Sequence, residues 1–135
     1  MSVSDTTGTV SQRKELSEGD GAPLPLAVIV TALKVEIKAV VAHLEALQAE
    51  TDDRGTVYDR GIFRDSGQSW QVAVAEAGPG NHSAADQVHF ALSHYKPDVL
   101  LFVGVAGGLK DDIRLGDVVA STKVYCYHGG KSADD

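Results

Sequence analysis

Two apolar, largely β-branched runs limit what this chain can become: Leu26–Ala32 (LAVIVTA) and Asp98–Val105 (DVLLFVGV). Neither alternates polar with apolar residues, so neither suits a strand with one face in water. Both read as strands buried on two faces, the mark of a parallel sheet covered by helices. Between them lie Lys34–Glu50, whose Ile37, Val40, Val41, Leu44 and Leu47 recur at helical spacing, and the extended stretches Gly55–Asp65 and Ser69–Ala77. Asp65-Ser66-Gly67 predicts a hairpin turn joining these two. A second helix follows Gly78-Pro79-Gly80, with Ala84, Val88, Ala91, Leu92 and Tyr95 on one face and Asn81 or Ser83 as its cap. Val118–Tyr127 reads as a last extended segment. The order β-α-β-β-α-β-β predicts an α/β fold of three layers, αβα, around a mixed, largely parallel sheet. Two helices are little cover for five strands, so the fold is expected to be incomplete at its C-terminal end.

Composition narrows the class. The 135 residues are 43% hydrophobic and 23% charged, ordinary for one globular domain. Residues 1–23 are the exception. They are rich in Ser, Thr, Gly, Asp and Glu, too polar to offset their ordering entropy, and are expected to form a disordered tail. Residues 24–131 form the domain and 132–135 a short tail. A formal net charge of −7 argues against a nucleic-acid partner, which calls for a basic face. No apolar run is long enough to span a bilayer, so no membrane partner is expected. The single cysteine, Cys126, cannot form an internal disulfide and fits a reducing cytoplasm.

Three familiar signatures fail. Gly78-Pro79-Gly80-Asn81-His82-Ser83 puts Ser83 where a dinucleotide fingerprint needs its third glycine. Gly130-Lys131-Ser132 resembles the end of a P-loop, yet Tyr125 stands at the first glycine position. His43, His82, His89, His94 and His128 have no metal-ligand spacing, so neither a metal nor a cofactor is expected. What remains is the edge at the C-terminal ends of the buried strands, where open α/β sheets bind ligands. Gly-rich turns follow both Ala77 and Val105. Glu36 lies in the first helical turn just past the first strand, where a carboxylate can orient or deprotonate a water or simply complement the helix dipole.

Four stretches, VIVTALKVEIKAV (Val28–Val40), AEAGPGNHSAA (Ala75–Ala85), KPDVLLFVGVAGGL (Lys96–Leu109) and LGDVVAS (Leu115–Ser121), resemble the nucleoside phosphorylase superfamily in order and spacing. They are most similar to its methylthioadenosine/S-adenosylhomocysteine nucleosidase branch. The resemblance spans residues 26–131 and corresponds to the N-terminal half of such a domain. It implies cleavage of a ribosyl–purine bond in a purine nucleoside, with Glu36 as the carboxylate that activates water. It places Gly78 and Gly80 on the ribose side of the pocket. Val105, Ala106 and Gly107 fall at the strand end beside the nucleoside. The stretch TALKVEIKAV has no arginine of the kind that holds phosphate in the phosphorylases, which favours water as the nucleophile. Val105 stands where the nucleosidases usually have serine, and Lys34 and Val35 replace an acidic run. The resemblance also implies that a C-terminal half supplies the group protonating the purine and the group holding the ribose. The chain alone is then expected to be inactive, and to form a homo-oligomer or pair with a complementing C-terminal half. A non-catalytic nucleoside-sensing or interaction module of a bacterial signalling or defence protein is the alternative reading.

Overall fold

The computed structural model describes residues 23–78 and 81–125. The expected tails at residues 1–22 and 132–135, and the Cys126 and His128 positions, lie outside the described residues. Seven elements follow in order: β1 (Leu26–Thr31), α1 (Lys34–Val41), β2 (Glu45–Thr51), β3 (Val57–Asp65), β4 (Gln68–Glu76), α2 (Asn81–Tyr95) and β5 (Val99–Phe102). They build one five-stranded sheet in the order β2-β3-β4-β1-β5. β1 is central and parallel to both β4 and β5. The pairs β2–β3 and β3–β4 are antiparallel. The fold is thus α/β with a mixed sheet, as expected.

Side-chain alternation along β1 divides the packing. Leu26, Val28 and Val30 point to one face and meet Ala73 and Ala75 of β4 and Ala91 and Tyr95 of α2, all buried. Tyr58 completes this core. Its ring meets Tyr95 edge-on at 4.8 Å, and its hydroxyl accepts a hydrogen bond from the Gln87 side chain. Burial pushes the Tyr58 phenol up to about 12, and the Tyr95 phenol upward as well. The opposite face presents Ala27, Ile29, Val72 and Leu101. Val40 of α1 and Leu44 of the turn after it line one margin of the resulting apolar groove, about 430 Å³ in volume.

The β3–β4 hairpin follows its turn chemistry. Ser66 and Gly67 both have positive φ, 49° and 78°, and Asp65 pairs with Gln68. That is the two-residue loop whose twist matches the flanking strands. At the other end of the sheet Asp98 clamps β1 to β5. Its carboxylate accepts the Leu26 N–H at 2.8 Å, and its own N–H donates to the Leu26 carbonyl at 2.9 Å.

The strand expected over Asp98–Val105 is shorter, Val99–Phe102, and is not buried on both faces. Among the described residues it has a neighbouring strand on one side only, and Val99, Leu101 and Phe102 are 36%, 44% and 56% exposed. Two expected elements differ in kind. The helix expected over Lys34–Glu50 ends at Val41, and Glu45–Thr51 is strand β2. The helix closes in tight turns, His43 N–H to Val40 carbonyl and Leu44 N–H to Val41 carbonyl. β2 then opens with Ala46 at φ 52° in a bulge between Glu45 and Gln48. A helix continuing to Glu50 would leave the outer edge of β3 unpaired, and β2 fills it. Glu50 then meets the Arg60 guanidinium at 2.6 Å. Gly61 makes the approach possible, because a Cβ there would lie 2.8 Å from the Glu45 carbonyl oxygen and 2.9 Å from Leu44 Cβ. The second difference is Val118–Tyr127: no strand forms over its described part, residues 118–125, where Val118 and Val119 are exposed. An extended segment needs a partner edge, and these residues pair with none of the five strands.

Candidate active site

The three parallel strands end together. Thr31 of β1 is level with Glu76 of β4, and the Ala77 N–H continues the ladder to the Thr31 carbonyl at 2.8 Å. On the other side, the Val103 N–H reaches the Val30 carbonyl at 3.0 Å. The turns after β1, β4 and β5 therefore leave from adjacent positions on one edge.

Glu36 occupies the third position of α1 and is 7% exposed. Its Oε2 accepts the N–H groups of Ala32 and Leu33, both at 2.9 Å. The bond to Leu33 satisfies a backbone donor just before the helix, as a third-position glutamate can. Its Oε1 accepts the Val105 N–H at 2.9 Å. These donors, the one from Val105 foremost, hold the carboxyl below the usual glutamate range against the opposing effect of desolvation. Glu36 is therefore ionised at neutral pH, and each of its oxygens is directed by backbone.

Of the residues expected at the site, Glu36 and Val105 are in direct contact. Gly78 lies just past β4 in the left-handed region, at φ 74°. A Cβ at Gly78 or at Gly107 would meet nothing within 4 Å, so both border open space. Ala106 follows Val105 and is exposed. Gly80 lies outside the described residues. Sequence reasoning missed Gly104, where a Cβ would sit 3.0 Å from Glu36 Oε1 and 3.3 Å from its carboxyl carbon. The signal was a glycine inside an apolar strand run, which marks a close approach. Among the described residues no group of three or more His, Cys, Asp or Glu is placed to hold a metal ion, and no helix is long and apolar enough to cross a membrane.

The edge geometry, the parallel strand trio and the carboxylate after β1 define an α/β domain with a candidate site at the strand ends. The chain belongs to the phosphorylase superfamily, whose family profile matches residues 26–135. Over 119 residues it is 30% identical to the ATP nucleosidase Cap17 of Escherichia coli (strain KTE188), a match covering 81% of this chain and 24% of that protein. Its fold is similar to that of S-adenosylhomocysteine nucleosidase from Streptococcus pyogenes in complex with 5-methylthiotubericidin. That match has a TM-score of 0.60 and 21% identity over 72% of this chain and 39% of that one. The Streptococcus pneumoniae MTA/SAH nucleosidase in complex with 8-aminoadenine gives a TM-score of 0.58 and 28% identity, over 67% and 38%. The chain thus spans well under half the length of these relatives.

Proposed function

We propose that this chain is part of a purine nucleosidase that hydrolyses the bond between ribose and the purine of an adenosine derivative. The observation that carries the reading is Glu36, ionised and fixed at the common edge of β1, β4 and β5 by N–H groups from Ala32, Leu33 and Val105. Oε2 accepts two of these bonds and Oε1 one, so Oε1 keeps a lone pair for a water. Water attacks the anomeric carbon, its oxygen bonding there as the carbon–nitrogen bond breaks. One water proton passes to Glu36, the other stays on the new ribose hydroxyl, and the leaving purine takes its proton from a separate protonating group. A carboxyl held low is a weak base, so Glu36 first orients the water and accepts its proton late, once positive charge has developed on the sugar. Gly78, Ala106 and Gly107 leave room for the nucleoside beside it.

The similar proteins are named for ATP and for 5′-methylthioadenosine and S-adenosylhomocysteine. These share adenosine and differ at the 5′ position, which supports the purine nucleoside as the common substrate element. The protonating group and the ribose-binding group come from the C-terminal part of the domain, in the same chain or a complementing one. A homo-oligomer in a reducing cytoplasm suits this reading. Adenine release from ATP and methylthioadenosine, with and without phosphate, tests it in the longest protein that carries this domain. Release without phosphate, strongly reduced by Glu36→Gln, is the expected result. No release from any adenosine derivative overturns it.

A further inference from the structure

A cavity of about 550 Å³ opens beside the same edge, with Ile37 and Val57 among its apolar lining and with Lys34 and Lys38 of α1, Arg54 of the β2–β3 turn, Asp59 and Glu76 as charged groups. Lys34 and Lys38 are four apart on α1 and share a face. Glu36, midway between them, turns the opposite way toward Val105. Arg54 is held on a fixed turn. The Asp52 carboxylate accepts the N–H groups of Arg54 and Thr56, both at 2.8 Å, and the guanidinium stands 5.1 Å over the Phe90 ring. Among the described residues no carboxylate lies within ion-pair distance of Lys34, Lys38 or Arg54. In a chain of net charge −7, this cavity gathers three cations against two carboxylates, Asp59 and Glu76, an excess of one positive charge (3 − 2).

We propose that this cavity takes the polyphosphate chain of a nucleotide whose nucleoside lies at Glu36, with Lys34, Lys38 and Arg54 contacting the phosphate oxygens. The proposal rests on the nucleosidase reading and gives it a substrate class, nucleoside polyphosphates rather than uncharged nucleosides. The carboxylate and the cations sit on opposite sides of the first turn of α1. A ligand engaging both must therefore be elongated, with a charged end remote from the scissile bond. Binding energy gathered at that remote end would position the reacting atoms at Glu36. Because all three cations are exposed, the interaction weakens with added salt.

The test is calorimetric titration of magnesium-free sodium tripolyphosphate at low salt. The proteins are the wild type, the Lys34→Gln/Lys38→Gln double variant and Glu36→Gln, each made in the longest protein that carries this domain. Wild type and Glu36→Gln should bind alike, and the double variant about tenfold more weakly, as loss of charge-assisted contacts predicts. The ratio of KM for ATP to KM for adenosine should rise by a similar factor, about tenfold, in the double variant. No binding by wild type, or equal binding by wild type and double variant, overturns the subsite. Adenine release with an unchanged KM ratio overturns it while leaving the nucleosidase reading intact. Tripolyphosphate binding without adenine release from any substrate does the reverse.

Discussion

Glu36 and Val105 lie 69 residues apart in sequence, yet Glu36 Oε1 accepts the Val105 N–H at 2.9 Å. One carboxylate therefore ties the start of α1 to the segment leaving β5, at the edge where the substrate is proposed to bind. It serves as both a structural clamp and a candidate base, and the two roles can be separated by experiment.

Glu36→Gln keeps the shape but replaces one acceptor oxygen with an NH₂ group that faces backbone donors. Hydrolysis should fall about 10²–10⁴-fold, the usual loss for a general base. The melting temperature should fall too, because at least one of the bonds from Ala32, Leu33 or Val105 is lost. An unchanged rate would remove Glu36 from the chemistry, and an unchanged melt would remove it from the clamp.

The same carboxyl makes stability depend on pH in the acid range. Its pKa is lowered in the folded state, so its contribution is complete above the ordinary glutamate value of about 4.3. It is lost as pH falls from there through the folded value. Urea midpoints measured between pH 3 and about 7 should drop more steeply at the acid end for the wild type than for Glu36→Gln.

Gly104 and Gly107 form a matched pair. A methyl at Gly104 crowds the Glu36 carboxyl, 3.0 Å from Oε1, whereas at Gly107 it meets nothing within 4 Å. The carboxyl must shift by a few tenths of an ångström against its three backbone bonds. Gly104→Ala should lower the rate by up to about 10²-fold, as small misplacements of catalytic groups do. Gly107→Ala should stay near wild type in melting temperature, and equal melts for the two variants would contradict the close approach.

Tyr58→Phe strands the Gln87 amide in the core beneath α2. Urea unfolding should show a loss of about 1–3 kcal/mol, the cost of an unsatisfied buried polar group. Tyr58→Phe/Gln87→Leu should recover part of it, because both partners are then apolar.

The groove opposite α2 should make the 135-residue chain self-associate. Its floor is apolar, and Phe63 and Leu101 on its walls are 38% and 44% exposed. Leu101→Lys should shift sedimentation toward the monomer. A wild-type chain that is monomeric at all concentrations would show that this face is inert.

Much of this was legible from local chemistry. The run around Val28 had to be buried on both sides, and Ser66-Gly67 had to turn. The run around Leu100 read the same way, yet β5 lies at the edge of the sheet with Leu101 and Phe102 exposed. Residues 45–51 were not legible, because Leu44 and Leu47 continue the helical spacing of Ile37 and Val40. Only the free edge of β3 and the bare backbone at Gly61 convert them to a strand, and both are tertiary facts. The placement of Glu36 at the strand ends could be read from the chain, but its N–H donors could not. Two are local turn geometry, and the third arrives from Val105 only when β5 docks. Lys34, Lys38 and Arg54 showed no pattern in sequence, since Arg54 joins the lysines only through the β2–β3 turn.

The central position of β1 has a bearing on when this chain can fold. The β2-β3-β4 meander joins neighbours in sequence and can form as soon as it leaves the ribosome. β1, made before it, pairs only with β4 and β5, and its clamp to Asp98 spans 72 residues. Such distant pairings are slow to find. Until β5 emerges, Leu26–Thr31 is a β-branched strand with one edge bare, a substrate for chaperones or for a neighbouring nascent chain. The strand that organises the finished sheet is thus the one that waits longest for its partners.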